Sequence, residues 1–299
     1  MRNVRYHLTL CALRLVAALP FALLYRLSDI TYIIIRYVLH YRQSVVMGNL
    51  TRSFPEMDGR QVQLTANRFY RHLSDCIFET VKLLTISDKQ LERHIRVQQS
   101  HLIERLSGDG RPVVLFLGHY GNWEWTQEVT RHYRRPAMTC EVYRPLKDQA
   151  MDMVLSRIRA RFATTPIPQR QAVRQLLRMN SEGRQFLVGF VADQRPNSKN
   201  LHHWTTWLHQ DTAFATGGEE IGRRLNAHFV FLQVEKPRRG HYVMTFQEMT
   251  VDESKGEDYP YTLEFLRLME ASIRKAPELW LWSHNRWEFD REGNTIHNK

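Results

Sequence analysis

Two short segments, Val113 to Leu117 and Phe186 to Ala192, are apolar almost without interruption and rich in Val, Leu and Phe. Such runs are too short for buried helices, and their lack of alternation means that both faces are covered. Strands of this kind belong inside a parallel sheet with helices on either side. The stretches around them read as helices. Gly59 to Leu84 puts Leu64, Phe69, Leu73, Ile77, Val81 and Leu84 at helical spacing, and Asp88 to Leu106 reads as a second helix. Ser107, Gly108, Asp109 and Gly110 make a turn, and Pro112 precedes the first strand. Further helices are expected over Trp123 to Arg131, Leu146 to Phe162, Gln169 to Met179, Gly217 to Leu225, and Tyr261 to Lys275 with Pro260 at its start. His228 to Glu235 and Tyr242 to Gln247 are strands that turn at Arg239 and Gly240. The alternation predicts an α/β class: a central, mostly parallel sheet flanked by helices, with polar groups just past the strand ends gathering into a site.

No repeat, low-complexity tract or long linker interrupts the 299 residues. We read residues 56–299 as one catalytic domain and residues 1–55 as a helical N-terminal segment with a taste for lipid. The apolar stretch Leu8 to Leu24 is broken by Arg14 and Pro20 and falls short of the run of about 20 residues that spans a bilayer comfortably. No small-residue cleavage site precedes Tyr25. Between Met1 and Pro55 there are seven arginines and one acid, Asp29. Arginines interleaved with Leu, Ile and Tyr suit helices lying in a lipid interface, where each basic residue near an anionic surface contributes about 1 kcal/mol. Core-packing helices with solvated arginines would read the same way.

Over the whole chain, 42 Lys plus Arg stand against 31 Asp plus Glu, a net charge of +11 that attracts anionic lipid, an acidic carrier protein or nucleic acid. The basic residues are dispersed and no nucleic-acid motif accompanies them, which argues against nucleic acid as partner. Cys11, Cys76 and Cys140 are far apart and form no CxxC pair, so neither a disulfide framework nor a structural zinc site is indicated. A reducing, cytosol-facing setting fits that usage. There is no G-x-S-x-G elbow, no G-x-x-x-x-G-K and no G-x-G-x-x-G.

The chemistry is sought in the loops that begin at Gly118 and Asp193. After the first strand come Gly118, His119, Tyr120, Gly121, Asn122, Trp123 and Glu124, so a histidine and a carboxylate lie five positions apart across a turn into a helix. A regular helix does not align such a pair, but a loop-to-helix junction can fold one onto the other. His119 would then act as general base, with Glu124 fixing its tautomer and stabilising the imidazolium. A structural pair is the plain alternative. Asn122 is placed either to cap the helix or to donate toward a developing oxyanion. Asp193 and Gln194, just past the second strand, either shape the site or cap a turn.

The phrase Gly118-His-Tyr-Gly-Asn-Trp-Glu124 resembles the His-x4-Glu block of the bacterial lipid A late acyltransferases, the lauroyl and myristoyl transferases of the lysophospholipid acyltransferase superfamily. The resemblance continues through Asn49-Leu50 with Phe54-Pro55-Glu56, Tyr143-Arg144-Pro145, Ala192-Asp193-Gln194 and Pro277-Glu278-Leu-Trp-Leu-Trp-Ser-His284, in order along nearly the full chain. It departs at Asn285, Arg286 and Trp287, where the family is richer in arginine, and in the loop Pro196 to Thr216. The resemblance implies that residues 56–299 are an acyltransferase domain with no cofactor. It would transfer a fatty acyl chain from an acyl carrier protein or coenzyme A thioester to a hydroxyl of a lipid A precursor. The location implied is the inner membrane, at its cytoplasmic face. In that setting Arg144 is a candidate contact to a phosphate of donor or acceptor. Trp204 and Trp207, in a loop with His202, His203, His209 and Asp211, are candidates to line the acyl groove, with core packing as the alternative. That loop lacks metal-site spacing, and no metal is expected. Other acceptors remain open, among them an aminolipid, a lysophospholipid or a secondary-metabolite hydroxyl or amine. So does a non-enzymatic basic protein that binds membrane or nucleic acid.

Overall fold

A computed structural model describes residues 2–136 and 138–296. Seven strands form one sheet in the order β1-β9-β8-β2-β5-β3-β4. They are β1 (Ile95–Gln98), β2 (Val113–Leu117), β3 (Met138–Tyr143), β4 (Thr164–Pro168), β5 (Phe186–Val191), β8 (His228–Arg238) and β9 (His241–Glu248). All neighbours run parallel except β8 and β9, the hairpin that turns at Gly240 with φ +72°. β2 and β5 are interior strands, and every residue of β2 is buried, as its unbroken apolar run requires. A separate antiparallel pair, β6 (Trp204–Trp207) and β7 (Gln210–Ala213), lies in the long loop after β5.

Helices cover the sheet: α4 (Gly59–Lys82), α5 (Asp88–His94), α6 (His101–Leu106), α7 (Gln149–Ala160), α8 (Ala172–Ser181), α9 (Gly217–Arg224) and α10 (Pro260–Lys275). The amphipathic reading of Gly59 to Leu84 corresponds to α4, which starts in a capping box between Asp58 and Gln61. Two expectations are corrected. Asp88 to Leu106 is not one helix: Ile95 and Val97, β-branched residues, leave it to pair with Tyr242 and Met244 as an edge strand. Trp125–Arg131 winds as tight 3₁₀ turns rather than α-helix. The strands β3 and β4, whose sequences include Pro166 and Pro168, carry no period that marks them beforehand.

At the N-terminus stand α1 (Arg2–Ala18), α2 (Phe21–Ile33, continued by a π turn to Val38) and α3 (Gln43–Ser53). Pro20 breaks the first two apart, and their axes bend by 115°. Their buried residues, including Leu10, Tyr32, Val46, Leu50 and Phe54, belong to the same core as the sheet. The other face of the first two mixes uncovered apolar side chains with arginines. Val4, Leu8, Leu15, Leu23, Ile30 and Val38 are each more than half exposed. No single helix among the described residues is long and apolar enough to cross a membrane.

Candidate active site

The site lies where β2 and β5 end. Their parallel register pairs Leu117 with Val191, and the Ala192 amide donates to the Leu117 carbonyl at 3.0 Å. Two residues further along each strand are His119 and Asp193, so the pleat delivers both to the same edge. Gly118 lets the chain pack closely here: a Cβ would come within 2.6 Å of Met269 Sδ, at the end of a flexible side chain, and 3.4 Å of the Asp193 carboxyl carbon. Gly121 sits at φ +62° with Val234 where a Cβ would be, a left-handed turn that reverses the chain after His119.

His119 Nδ1 donates to Asp193 Oδ1 at 2.8 Å, and Gln194 Nε2 donates to His119 Nε2 at 3.2 Å. With Gln194 as donor, Nε2 is the unprotonated nitrogen and Nδ1 carries the hydrogen. Asp193 is buried at 1 % exposure, and its second oxygen accepts from the Trp280 indole at 2.7 Å. Burial alone would raise its pKa. The charge and hydrogen bond of His119, with the Trp280 bond, outweigh that and bring it down to about 2. The imidazole is 20 % exposed, and Trp123 stands edge-on to it with ring centres 5.3 Å apart.

Glu124 faces a different partner. Its carboxylate accepts from Arg159 Nη2 at 2.8 Å and Nε at 3.3 Å, and Arg159 reaches on toward Glu141 at 3.6 Å. The expectation that Glu124 orients His119 is thus at odds with this geometry, in which Asp193 holds the Nδ1 hydrogen. Glu124 instead lines a cavity with Leu117, Trp123, Cys140, Gly189 and Val191 beneath the turn. The cavity holds about 40 Å³, room for water but not for a fatty chain as it stands.

The remaining candidates separate. Asn122 is buried: its amide donates to Glu79 at 2.8 Å and its oxygen caps the Trp125 amide at 3.3 Å. Arg144 is exposed, one residue past β3 and therefore at the same sheet edge as His119. Trp207 is buried against Trp280 and Trp287, with ring centres 5.4 and 6.2 Å away, and backs the residue that holds Asp193. Trp204 is half-buried and donates to the Leu201 carbonyl at 2.8 Å. Arg159 and Trp280 were not singled out as site residues from sequence. Trp280 lay within a recognised block, but nothing local marks Arg159, which one reaches only by tracing Glu124 across the fold. No cluster of His, Cys, Asp and Glu able to hold a metal occurs among the described residues.

A mostly parallel sheet flanked by helices, with a histidine held by a buried carboxylate just past two neighbouring interior strands, has the layout of an α/β enzyme site. The chain belongs to the bacterial lipid A biosynthesis acyltransferase family, whose model matches residues 1–288. It is 25% identical over 294 residues to a lipid A biosynthesis palmitoleoyltransferase of Escherichia coli (strain K12), covering 95% of this chain and 92% of that one. The same figures relate it to a lipid A biosynthesis acyltransferase of Shigella flexneri. The protein is an acyltransferase of lipid A synthesis.

Proposed function

We propose that the chain moves a fatty acyl group from the thioester of an acyl carrier protein, or of coenzyme A, to a hydroxyl of a lipid A precursor, with His119 as general base. The observation that carries this reading is the 2.8 Å contact between His119 Nδ1 and the buried Asp193 carboxylate, which takes up the Nδ1 hydrogen and leaves Nε2 to accept a proton. The acceptor hydroxyl gives its proton to Nε2 while its oxygen attacks the thioester carbonyl carbon. Asp193 stabilises the imidazolium that forms. Gln194, displaced from Nε2 by the hydroxyl, keeps an amide N–H close to the carbonyl oxygen as that oxygen becomes negative. Collapse of the tetrahedral intermediate breaks the carbon–sulfur bond, and the thiolate leaves with the proton held on Nε2. Glu124 and Arg159 act as a clamp on the turn below. Arg144 meets a phosphate from its place at the same sheet edge.

Residues 1–55 dock the enzyme on the cytoplasmic face of the inner membrane. Supporting this are the uncovered apolar side chains of α1 and α2, together with the exposed Arg5, Arg14 and Arg26. Incubating the protein with acyl carrier thioesters and a tetraacylated lipid A precursor, followed by mass spectrometry, should reveal one added acyl chain. A folded protein that transfers nothing from either thioester sinks the reading. Sedimentation with vesicles of phosphatidylethanolamine and phosphatidylglycerol tests docking separately, and should fail once Leu8, Leu15 and Leu23 are replaced by Asp.

A further inference from the structure

One buried stripe of α4 is polar where an amphipathic helix would ordinarily be apolar. His72, Asp75, Cys76, Glu79 and Lys82 share one face of the helix, each three or four positions from another member, and all five are buried. Buried polar networks of this kind are costly unless every member is satisfied, so their partners show what the stripe is for. On one side it grips the N-terminal helices. Lys82 Nζ donates to the carbonyls of Ala17 and Leu19 at 2.9 and 2.8 Å, Asp75 accepts from Ser28 at 2.7 Å, and Glu79 Oε1 accepts from the Tyr25 hydroxyl at 3.0 Å. On the other side it grips the loop that follows His119. The Gly121 carbonyl accepts from His72 Nε2 at 3.2 Å, Glu79 Oε2 accepts from Asn122 at 2.8 Å, and the Glu79 carbonyl accepts from the Trp125 indole at 2.9 Å. Tyr242, from β9, completes the set with a 2.7 Å bond to the same Oε2.

Glu79 alone serves both sides with one carboxylate. We propose that Glu79 is a positioning residue for the catalytic loop, acting through Asn122, and that its bond to Tyr25 makes the loop's placement depend on how α2 is seated. The proposal rests on the reading above, in which α1 and α2 lie on a lipid surface and His119 is the base. The physical step is short. Asn122 is three residues from His119, across the Gly121 turn, and its amide has no exit to water. If the carboxylate shifts, the amide must follow or remain unpaired, and either outcome displaces the imidazole from the acceptor hydroxyl.

The test uses the full-length protein, an acyl carrier thioester that the wild type turns over, and tetraacylated lipid A precursor in vesicles of phosphatidylethanolamine and phosphatidylglycerol. Glu79→Gln removes the charge and leaves one acceptor oxygen where Tyr25, Asn122 and Tyr242 had two, so the three donors can no longer all be held as they are. It should lower kcat by about 10-fold to 100-fold while KM for the thioester moves by less than about threefold. Asn122→Ala should give a similar loss, and the double variant should be no worse than the poorer single one, since both act through one contact. Tyr25→Phe, which removes only a hydroxyl on a half-buried helix, should lower kcat by about threefold to 10-fold with vesicle binding unchanged. A folded Glu79→Gln with kcat within twofold of wild type overturns the proposal, as do losses that multiply in the double variant. Should Glu79→Gln not fold, the same cycle with Tyr25→Phe and Asn122→Ala decides: additive losses, or no loss in Tyr25→Phe, overturn it. A wild type without transfer condemns the acyltransferase mechanism instead, and one that transfers without binding vesicles condemns the docking.

Discussion

Two carboxylates stand near His119, and they arrive by different routes. Asp193 comes from the end of the neighbouring strand, 74 positions away, delivered by the parallel register of β2 and β5. Glu124 comes from the same turn as the histidine, five positions on, and is taken up by Arg159 from α7. Proximity in the chain suggested Glu124, but a sharp turn that must also hold Gly121 against Val234 sends the following residues beneath the loop. Sheet register is the stricter constraint, because it fixes both strand ends to within the pleat. The comparison teaches that a base at a strand terminus is best matched first with the residue opposite it on the adjacent strand.

Variants can break this comparison. His119→Ala should lower turnover by about 100-fold to 10,000-fold, the usual cost of losing a general base. Asp193→Asn keeps the shape but turns a hydrogen-bond acceptor into a group that can force the proton onto Nε2. A loss approaching that of His119→Ala is expected in kcat, with little added loss in the double variant. Glu124→Gln should cost about 10-fold, shared with Arg159→Met, because the clamp moves the turn by a fraction of an ångström rather than removing a proton acceptor. Should steady-state kinetics rank Glu124→Gln above Asp193→Asn, the roles assigned to the two carboxylates must be exchanged.

Much of this was legible beforehand, for physical reasons. The fully apolar runs of β2 and β5 allow only interior strands, and with them came both loops of the site. The amphipathic period of α4 was equally plain, whereas its polar stripe looked like ordinary polar helix until its partners were known. What stayed hidden was long-range. Arg159 is one of two arginines on α7, and only the packing of that helix across the turn brings it to Glu124. Ile95 to Gln98 reads as helix because edge pairing with β9 is a tertiary gain that no local period announces. Trp207, a candidate for the acyl groove, is a buried neighbour of Trp280, and a tryptophan in a loop carries no mark of which side it will face.

Stability as a function of pH separates the buried charges. His284 is desolvated and held near Arg286, and although Asp193 pulls the other way its pKa falls to about 4. An unfolded histidine takes up a proton first, near 6.5, so this group's contribution to stability is fully present above that pH and is lost between about 6.5 and about 4. Asp193, brought down to about 2, is shifted in the same direction: its contribution is present above the ordinary carboxylate pKa of 3.8 and is lost as pH falls through about 2. The two windows adjoin without overlapping. Urea unfolding from pH 7 to pH 2, taken as the difference from wild type so that the buried His72 and the half-buried His94 cancel, should resolve them. His284→Gln should flatten the upper window by roughly 2 to 4 kcal/mol and, by removing the cation that interacts with Asp193 below about pH 4, narrow the lower one. Asp193→Asn should abolish the lower window, of order 2 kcal/mol, and deepen the upper one, because the carboxylate that supports a proton on His284 is gone. If Asp193→Asn leaves stability between pH 4 and pH 2 as it was, its carboxylate does not hold the imidazole in solution, and the strand-end pairing loses its claim over the pairing within the turn.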